Sequence, residues 1–177
     1  MNIKVMNKDD IKVILKPDIL PALYGLGLNK GVTSNIGYED FCASDELKGK
    51  MLKVANKLVK LSAEHRKFLR QINVILELNM PRYFWSEFDT YKVGTTAQSE
   101  STMHTILKQQ LTLDNFACSN NISVAIAENI IKKINTVKHA LLSETEKLLI
   151  IKEILPESFK QKRIVSLNYE VLANIIK

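Results

Sequence analysis

The sequence predicts an α/β (α+β) protein, with a small, mainly antiparallel sheet flanked by helices and a helical C-terminal third. Three observations predict it. Ile72, Val74, Leu76 and Leu78 alternate with Asn73, Glu77 and Asn79, the period of a half-buried strand. Leu47, Met51, Val54, Leu58 and Leu61 recur at spacings of four and three, which places them on one helix face. Beyond residue 120 the helical period dominates: Ile130, Ile134, Val137 and Leu141 share a face, and Ser143-Glu-Thr-Glu146 is a capping box that opens another helix. A chain of 177 residues is shorter than the roughly 250–300 at which chains divide, so one domain spanning residues 1–177 is expected.

Taken in order, residues 1–24 suggest a short strand near Ile3–Met6 and then a turn-prone stretch with Pro17 and Pro21. The run from Gly25 through Gly27 to Gly31 has G-x-G-x-x-x-G spacing with no strand leading in. It reads as a loop, not a dinucleotide cradle. Ser44 or Asp45 caps the first helix. Lys50, Lys53, Lys57 and Lys60 run beside its apolar stripe, where their stems can cover the edge of a buried face. Ala63 to Arg70 forms a further helical turn or two. Pro81 opens a helix at its first position, and Gly94 to Ser101 is a polar linker. Pro156 stops the helix that reaches about Leu155. Asn168 caps a last helix, Tyr169–Lys177, with Leu172, Ile175 and Ile176 inside.

Composition narrows the function classes. Hydrophobic residues at 46% and charged residues at 25% exclude a disordered, collagenous or disulfide-scaffold chain. No apolar run approaches the ~20 residues of a membrane helix, and the N-terminus has no apolar signal core. Cys42 and Cys118, far apart and without Cys-x-x-Cys, read as reduced thiols of a cytoplasmic protein. The net charge of +6 comes from 21 lysines and only four arginines, Arg66, Arg70, Arg82 and Arg163, so nucleic-acid binding rests on charge alone. His65, His104 and His139 form no pair at metal-ligand spacing, and no metal is expected. A Ser101 nucleophile with His104 as base can be drawn, without a G-x-S-x-G context to support it.

Residues 82–104 stand apart. Arg82, Glu87, Asp89, Lys92, Ser99, Glu100, Ser101 and His104 crowd beside Tyr83, Trp85 and Tyr91. Rings to stack on and polar groups for edges are what a planar heterocyclic ligand requires. Arg82 would be the main anion contact. The alternative for Arg82 is a surface pair with Glu87 or Asp89.

The order of these features resembles the flavin-dependent thymidylate synthases over roughly residues 45–177. His65 and Phe68 fit the family's His-x-x-Phe, and Arg82 fits the arginine that ends its strand, with Pro81 in place of serine. Glu87 falls near the glutamine that meets the pyrimidine. Thr90-Tyr91-Lys92 falls on Arg-His-Arg, within one residue, and Gly94 or Thr95 falls on the signature serine. Ser99, Glu100, Ser101 and Thr102 cover the Ser-x-Arg-Tyr region without its arginine. Asn168 and Asn174 match two flavin-facing asparagines, while Glu170 replaces the arginine between them. The family's last functional arginine would fall past Lys177. The resemblance implies FAD and a pyrimidine nucleotide as ligands, with His65, Lys92, Asn168 and Asn174 toward the cofactor and Arg82, Glu87, Ser99 and Ser101 toward the substrate. It also implies a homotetramer with sites between subunits. Such enzymes use reduced flavin to pass a methylene group to deoxyuridylate, a methyltransferase activity that the missing arginines would impair or abolish in this short form. The alternative is a non-catalytic pseudoenzyme, for instance a phage or other viral accessory or anti-defence factor, that uses the same fold to bind a protein or signalling nucleotide.

Overall fold

The computed structural model describes residues 8–176, so the strand expected near Ile3–Met6 lies outside the described residues, as does Lys177. Strands β1 (Ile11–Leu15), β2 (Asn73–Pro81), β3 (Thr95–Ser99) and β4 (Lys160–Asn168) form one antiparallel sheet in the order β1-β2-β4-β3. Around them run α1 (Leu20–Leu28), α2 (Tyr38–Ala43), α3 (Asp45–Leu58), α4 (Arg82–Phe88), α5 (Thr102–Thr105), α6 (Asn121–His139), α7 (Glu144–Ile154) and α8 (Tyr169–Ile175).

The expected β2 forms where its alternation places it, with Val74, Leu78 and Met80 buried. The other three strands correct the sequence reading. β1 occupies a stretch read as turn-prone, and its five residues are all exposed along a sheet edge. β3 takes the centre of the supposed linker; Thr-Thr-Ala-Gln-Ser at the opposite edge carries no apolar face to betray it. β4 interrupts the helical C-terminal third. Its charges at Lys160, Lys162 and Arg163 hide a period of two that only Val165 and Leu167 express by burial.

Capping follows the sequence. Ser44 accepts from the Leu47 amide at the start of α3, Ser143 and Glu146 close the capping box of α7, and Asn168 accepts from the Val171 amide to start α8. The ends of the predicted stripes depart from expectation: Leu61 and Leu141 lie beyond their helices and are exposed, and so is Ile176 beyond α8. Lys50, Lys53, Lys57 and Lys60 are exposed, as expected. Among the described residues no helix is long and apolar enough to cross a membrane.

The residues group into two compact units. The first comprises 77–90, 97–164 and the residues up to 12. Its core holds Ile106, Leu111, Phe116, Ile134, Ile151 and Phe159, with Phe116 and Phe159 edge to face at 5.7 Å. Asp10 and Lys160, both nearly buried, pair at 2.8 Å. The second comprises 13–76, 91–96 and 165–177, with Leu23, Leu26, Phe41, Met51, Phe68 and Ile72 at its centre.

The glycine run expected as a loop is helical as far as Leu28, with Pro21 in the first turn, where its missing N–H costs nothing. Gly31, at φ 66°, makes the turn that follows. Gly27 serves close packing. A Cβ there would stand 2.6 Å from Thr33 Cγ2, and Thr33 is fully buried, its hydroxyl donating to the Tyr24 carbonyl. Gly27→Ala should therefore lower the unfolding free energy by about 1–2 kcal/mol in urea titration, because overpacking outweighs the helix propensity gained. Gly49→Ala on α3, where a Cβ meets nothing within 4 Å, should raise it by about 0.5–1 kcal/mol.

Candidate functional site

In the first unit one row of backbone carbonyls, Glu157 to Lys162, receives donors from three separate segments. The amides of Arg82 and Tyr83 donate to Phe159 and Glu157, at 3.1 and 3.4 Å. The Ala117 amide donates to Ser158 at 2.8 Å, and the Glu100 amide to Lys162 at 2.9 Å. The indole Nε1 of Trp85 donates to Gln161 at 3.0 Å. Two of the orphan N–H groups at the start of α4 are thereby satisfied without a side-chain cap. Glu100 is held a second time, its carbonyl accepting from Gln161 Nε2 at 2.7 Å.

This clamping frames a cleft of about 550 Å³ lined by Arg82, Trp85, Ser86, Asp89 and Arg163. Glu100 to Met103, Lys152, Leu155, Glu157 and Gln161 complete it. The volume lies in the range of small-molecule sites. Three cations line it, Arg82, Lys152 and Arg163, and so do three carboxylates, Asp89, Glu100 and Glu157. The cleft is thus formally neutral. The Arg82 guanidinium reaches Glu157 Oε1 at 3.4 Å and the Leu155 carbonyl at 3.5 Å. Its side chain stays 43% exposed. Glu157, not Glu87 or Asp89, is its partner.

Arg163 is held far more tightly. Its guanidinium carbon lies 4.3 Å from the centroid of the Trp85 ring. Nη1 donates to Asp89 at 2.8 Å, and Nε and Nη2 both donate to Gln161 Oε1, at 3.4 and 3.3 Å. Trp85, 2% exposed, stacks edge to face with Phe84 and Phe88.

Of the residues expected to meet substrate, Arg82 and Ser101 line this cleft. Glu87 sits exposed on α4 and Ser99 exposed on β3; neither lines it. Ser101 and His104 are joined through the backbone, the Ser101 carbonyl accepting from the His104 amide. Sequence reasoning missed Arg163, Gln161, Lys152 and Glu157. Arg163 was open to discovery as one of four arginines, but the segment around it carried no strand signal.

The four residues expected to meet a cofactor all belong to the second unit. His65 is exposed in a turn and Lys92 is exposed; among the described residues no hydrogen bond or ion pair is shown for either side chain. Asn168 is committed to capping α8, and its Nδ2 lies where a Cβ on Gly94 would clash; Gly94 has φ 78°. Asn174 accepts from Arg66 Nη2 at 3.3 Å. Beside the expected His65, the neighbouring Arg66 is the buried residue. Arg66 is 5% exposed and pairs through Nη2 with Glu170, 7% exposed, at 2.9 Å. Arg66 Nε, Glu170 Oε2 and Thr95 Oγ1, all buried, have no hydrogen-bond partner among the described residues.

Removing one partner of a buried pair leaves an uncompensated charge. Arg66→Met should therefore cost about 3–5 kcal/mol of stability. Combining it with Glu170→Leu should recover most of that loss in a double-mutant cycle read by chemical denaturation.

No protein-family model matches the sequence, and no curated protein matches it. Solved structures do. A thymidylate synthase X from Helicobacter pylori, crystallised with FAD and dUMP, is similar at TM-score 0.67 and 16% identity, over 94% of this chain and 81% of that one. A second structure of that bacterium's flavin-dependent enzyme with FAD and dUMP gives TM-score 0.65 at 16% identity, over 93% and 81%. A UMP/dUMP methylase from Streptomyces cacaoi, bound with 5-bromo-dUMP, gives 0.60 at 11% identity, over 92% and 74%. The chain has the flavin-dependent thymidylate synthase fold.

Proposed function

We propose that this protein binds a pyrimidine nucleoside monophosphate in the cleft of the first unit and FAD on residues of the second, with thymidylate formation impaired. The observation that carries the reading is the cleft itself: a site of nucleotide size, with Arg82 anchored at its rim by the β4 side of the unit and an aromatic cluster beneath it. Three neighbours of the same fold were crystallised with dUMP or its bromo analogue, which supports the ligand class. Arg82 meets the phosphate; Ser101 and Lys152 also line the cleft and serve its remaining oxygens or the sugar. Glu87 and Ser99 drop out of the substrate set on their positions.

Among the described residues, Arg66 Nε and Thr95 Oγ1 are buried donors without acceptors, and a cofactor rich in carbonyl and phosphate oxygens supplies acceptors. His65 and Lys92 are exposed and free to turn toward it. The residues fit, with His65, Lys92, Asn174 and Thr95 as the holding set and Asn168 as structural support. FAD, when bound, supplies a redox-active ring. Impairment follows from charge: Thr90-Tyr91-Lys92 carries one cation, and the cleft's three cations are matched by three carboxylates. Preorganised positive charge of the kind that supplies several kcal/mol of barrier lowering is missing. The reading includes self-association, supported by exposed Ile122, Ile126 and Leu149 and by the apolar edge strand β1.

Calorimetry with dUMP should show binding to the parent protein and a loss of about 10- to 150-fold in affinity for Arg82→Ala, at an unchanged melting temperature. Unchanged affinity would remove Arg82 from the site. Incubation with FAD and desalting should leave a yellow protein. That protein should release little tritium from labelled deoxyuridylate with NADPH and methylenetetrahydrofolate; robust release would overturn the impairment. Light scattering should give a mass above that of a 20.1 kDa monomer.

A further inference from the structure

We infer that Arg163 is the stacking platform for the planar base of the ligand and not a phosphate clamp; the inference rests on the nucleotide reading of this cleft. Arg163 lines the cleft, and its other commitments can be subtracted one by one. Trp85 covers one face of the guanidinium, with 4.3 Å between the guanidinium carbon and the ring centroid. Every nitrogen already donates to a protein oxygen: Nη1 to Asp89, Nε and Nη2 to Gln161 Oε1. Asp89 offsets its charge. What remains for a ligand is the second face of the plane, with at least one Nη2 N–H at its edge.

That face is well prepared. Gln161 is itself pinned, because its Nε2 donates to the Glu100 carbonyl and its own carbonyl accepts from Trp85 Nε1. Trp85 is buried among Phe84 and Phe88. The guanidinium therefore pays little entropy to present a flat surface, and flat guanidinium surfaces stack on nucleic-acid bases. A formally neutral cleft also gains little from net attraction of an anion, so affinity must come from such shape-matched contacts. Arg82, 43% exposed and held only by two long contacts, at 3.4 and 3.5 Å, is the cation left to meet phosphate. The two arginines divide the nucleotide: Arg82 takes the phosphate and Arg163 takes the ring.

Lysine keeps the charge of Arg163 and removes the plane, which makes Arg163→Lys the deciding variant. Two probes are titrated, dUMP and 2-deoxyribose 5-phosphate, which lacks the base. Trp85 is the chain's single tryptophan, so its fluorescence reports on the platform while calorimetry reports affinity. With the parent protein, dUMP should change Trp85 emission and the sugar phosphate should not. Arg163→Lys should weaken dUMP about 5- to 150-fold, the span of single-base stacking losses, and leave the sugar phosphate within about twofold. Equal weakening of both probes would make Arg163 an anion contact, and unchanged dUMP affinity would leave it out of the site; either result overturns the inference while the nucleotide reading stands. If the parent binds neither probe, both the reading and the inference fall. Should Arg163→Lys not fold, Asp89→Ala decides. Asp89 is 55% exposed, and its loss frees Nη1 and loosens the plane, so dUMP should weaken severalfold with the sugar phosphate again spared; equal effects on both would overturn the inference.

Discussion

The carbonyl row from Glu157 to Lys162 is the constraint on which the first unit depends. Backbone oxygens that packing withdraws from water need a donor, since each left unpaired would cost the desolvation of a lost hydrogen bond. This row is satisfied by the start of α4, by Ala117, by the Trp85 indole and by Glu100. Each donor therefore acquires a defined position against β4. The walls of the cleft are the segments so held, which explains why residues from 82–89, 100–103 and 152–163 meet around one space. Changing the register of β4 by one residue would exchange its two faces and move Arg163 away from Trp85.

Charge pairing then sets what this space can bind. A cleft with unpaired arginines would attract any phosphate. Here Arg163 is tied to Asp89, Arg82 lies near Glu157, and Glu100 adds a third carboxylate. The long-range field is weak, and discrimination falls to the positions of rings and planes. The second unit repeats the theme in a drier setting. Arg66 and Glu170 neutralise each other beneath the surface, with one contact where a fork could make two. Both keep a buried atom unpaired. Such a pair contributes little net stability compared with an apolar isostere.

Helix stripes, caps and β2 were legible in the primary structure because each is a local signal. Leu47 to Leu58 repeats with the helix, Ser143 and Glu146 stand at capping-box spacing, and Ile72 to Leu78 alternates. The order of those signals carried the likeness to flavin-dependent thymidylate synthases, and the fold agrees. Arg82 and Ser101, both of which line the cleft, stood out for the same reason, since they fall in a dense local cluster of polar and aromatic residues.

The rest was decided by partners distant in the chain. β1 and β3 are exposed edge strands whose side chains have no buried face to pattern, and only pairing with a neighbour makes them strands. β4 hides its period under lysines and an arginine whose partners lie far away: Asp10 for Lys160, Asp89 for Arg163. Gly27 belongs to a helix and not a loop because Thr33 returns to fill the space beside it. Arg66, one position from the histidine that the motif singled out, is buried only because Glu170, 104 residues later, arrives to meet its charge. The sequence by itself determined the helices that carry apolar stripes or capping signals, α3, α6, α7 and α8, one strand and the segment where a ligand would be sought. Tertiary structure decided which charges are spent and which remain, because a side chain's chemistry depends on the partner it finds, and those partners are set by the fold and not by spacing along the chain.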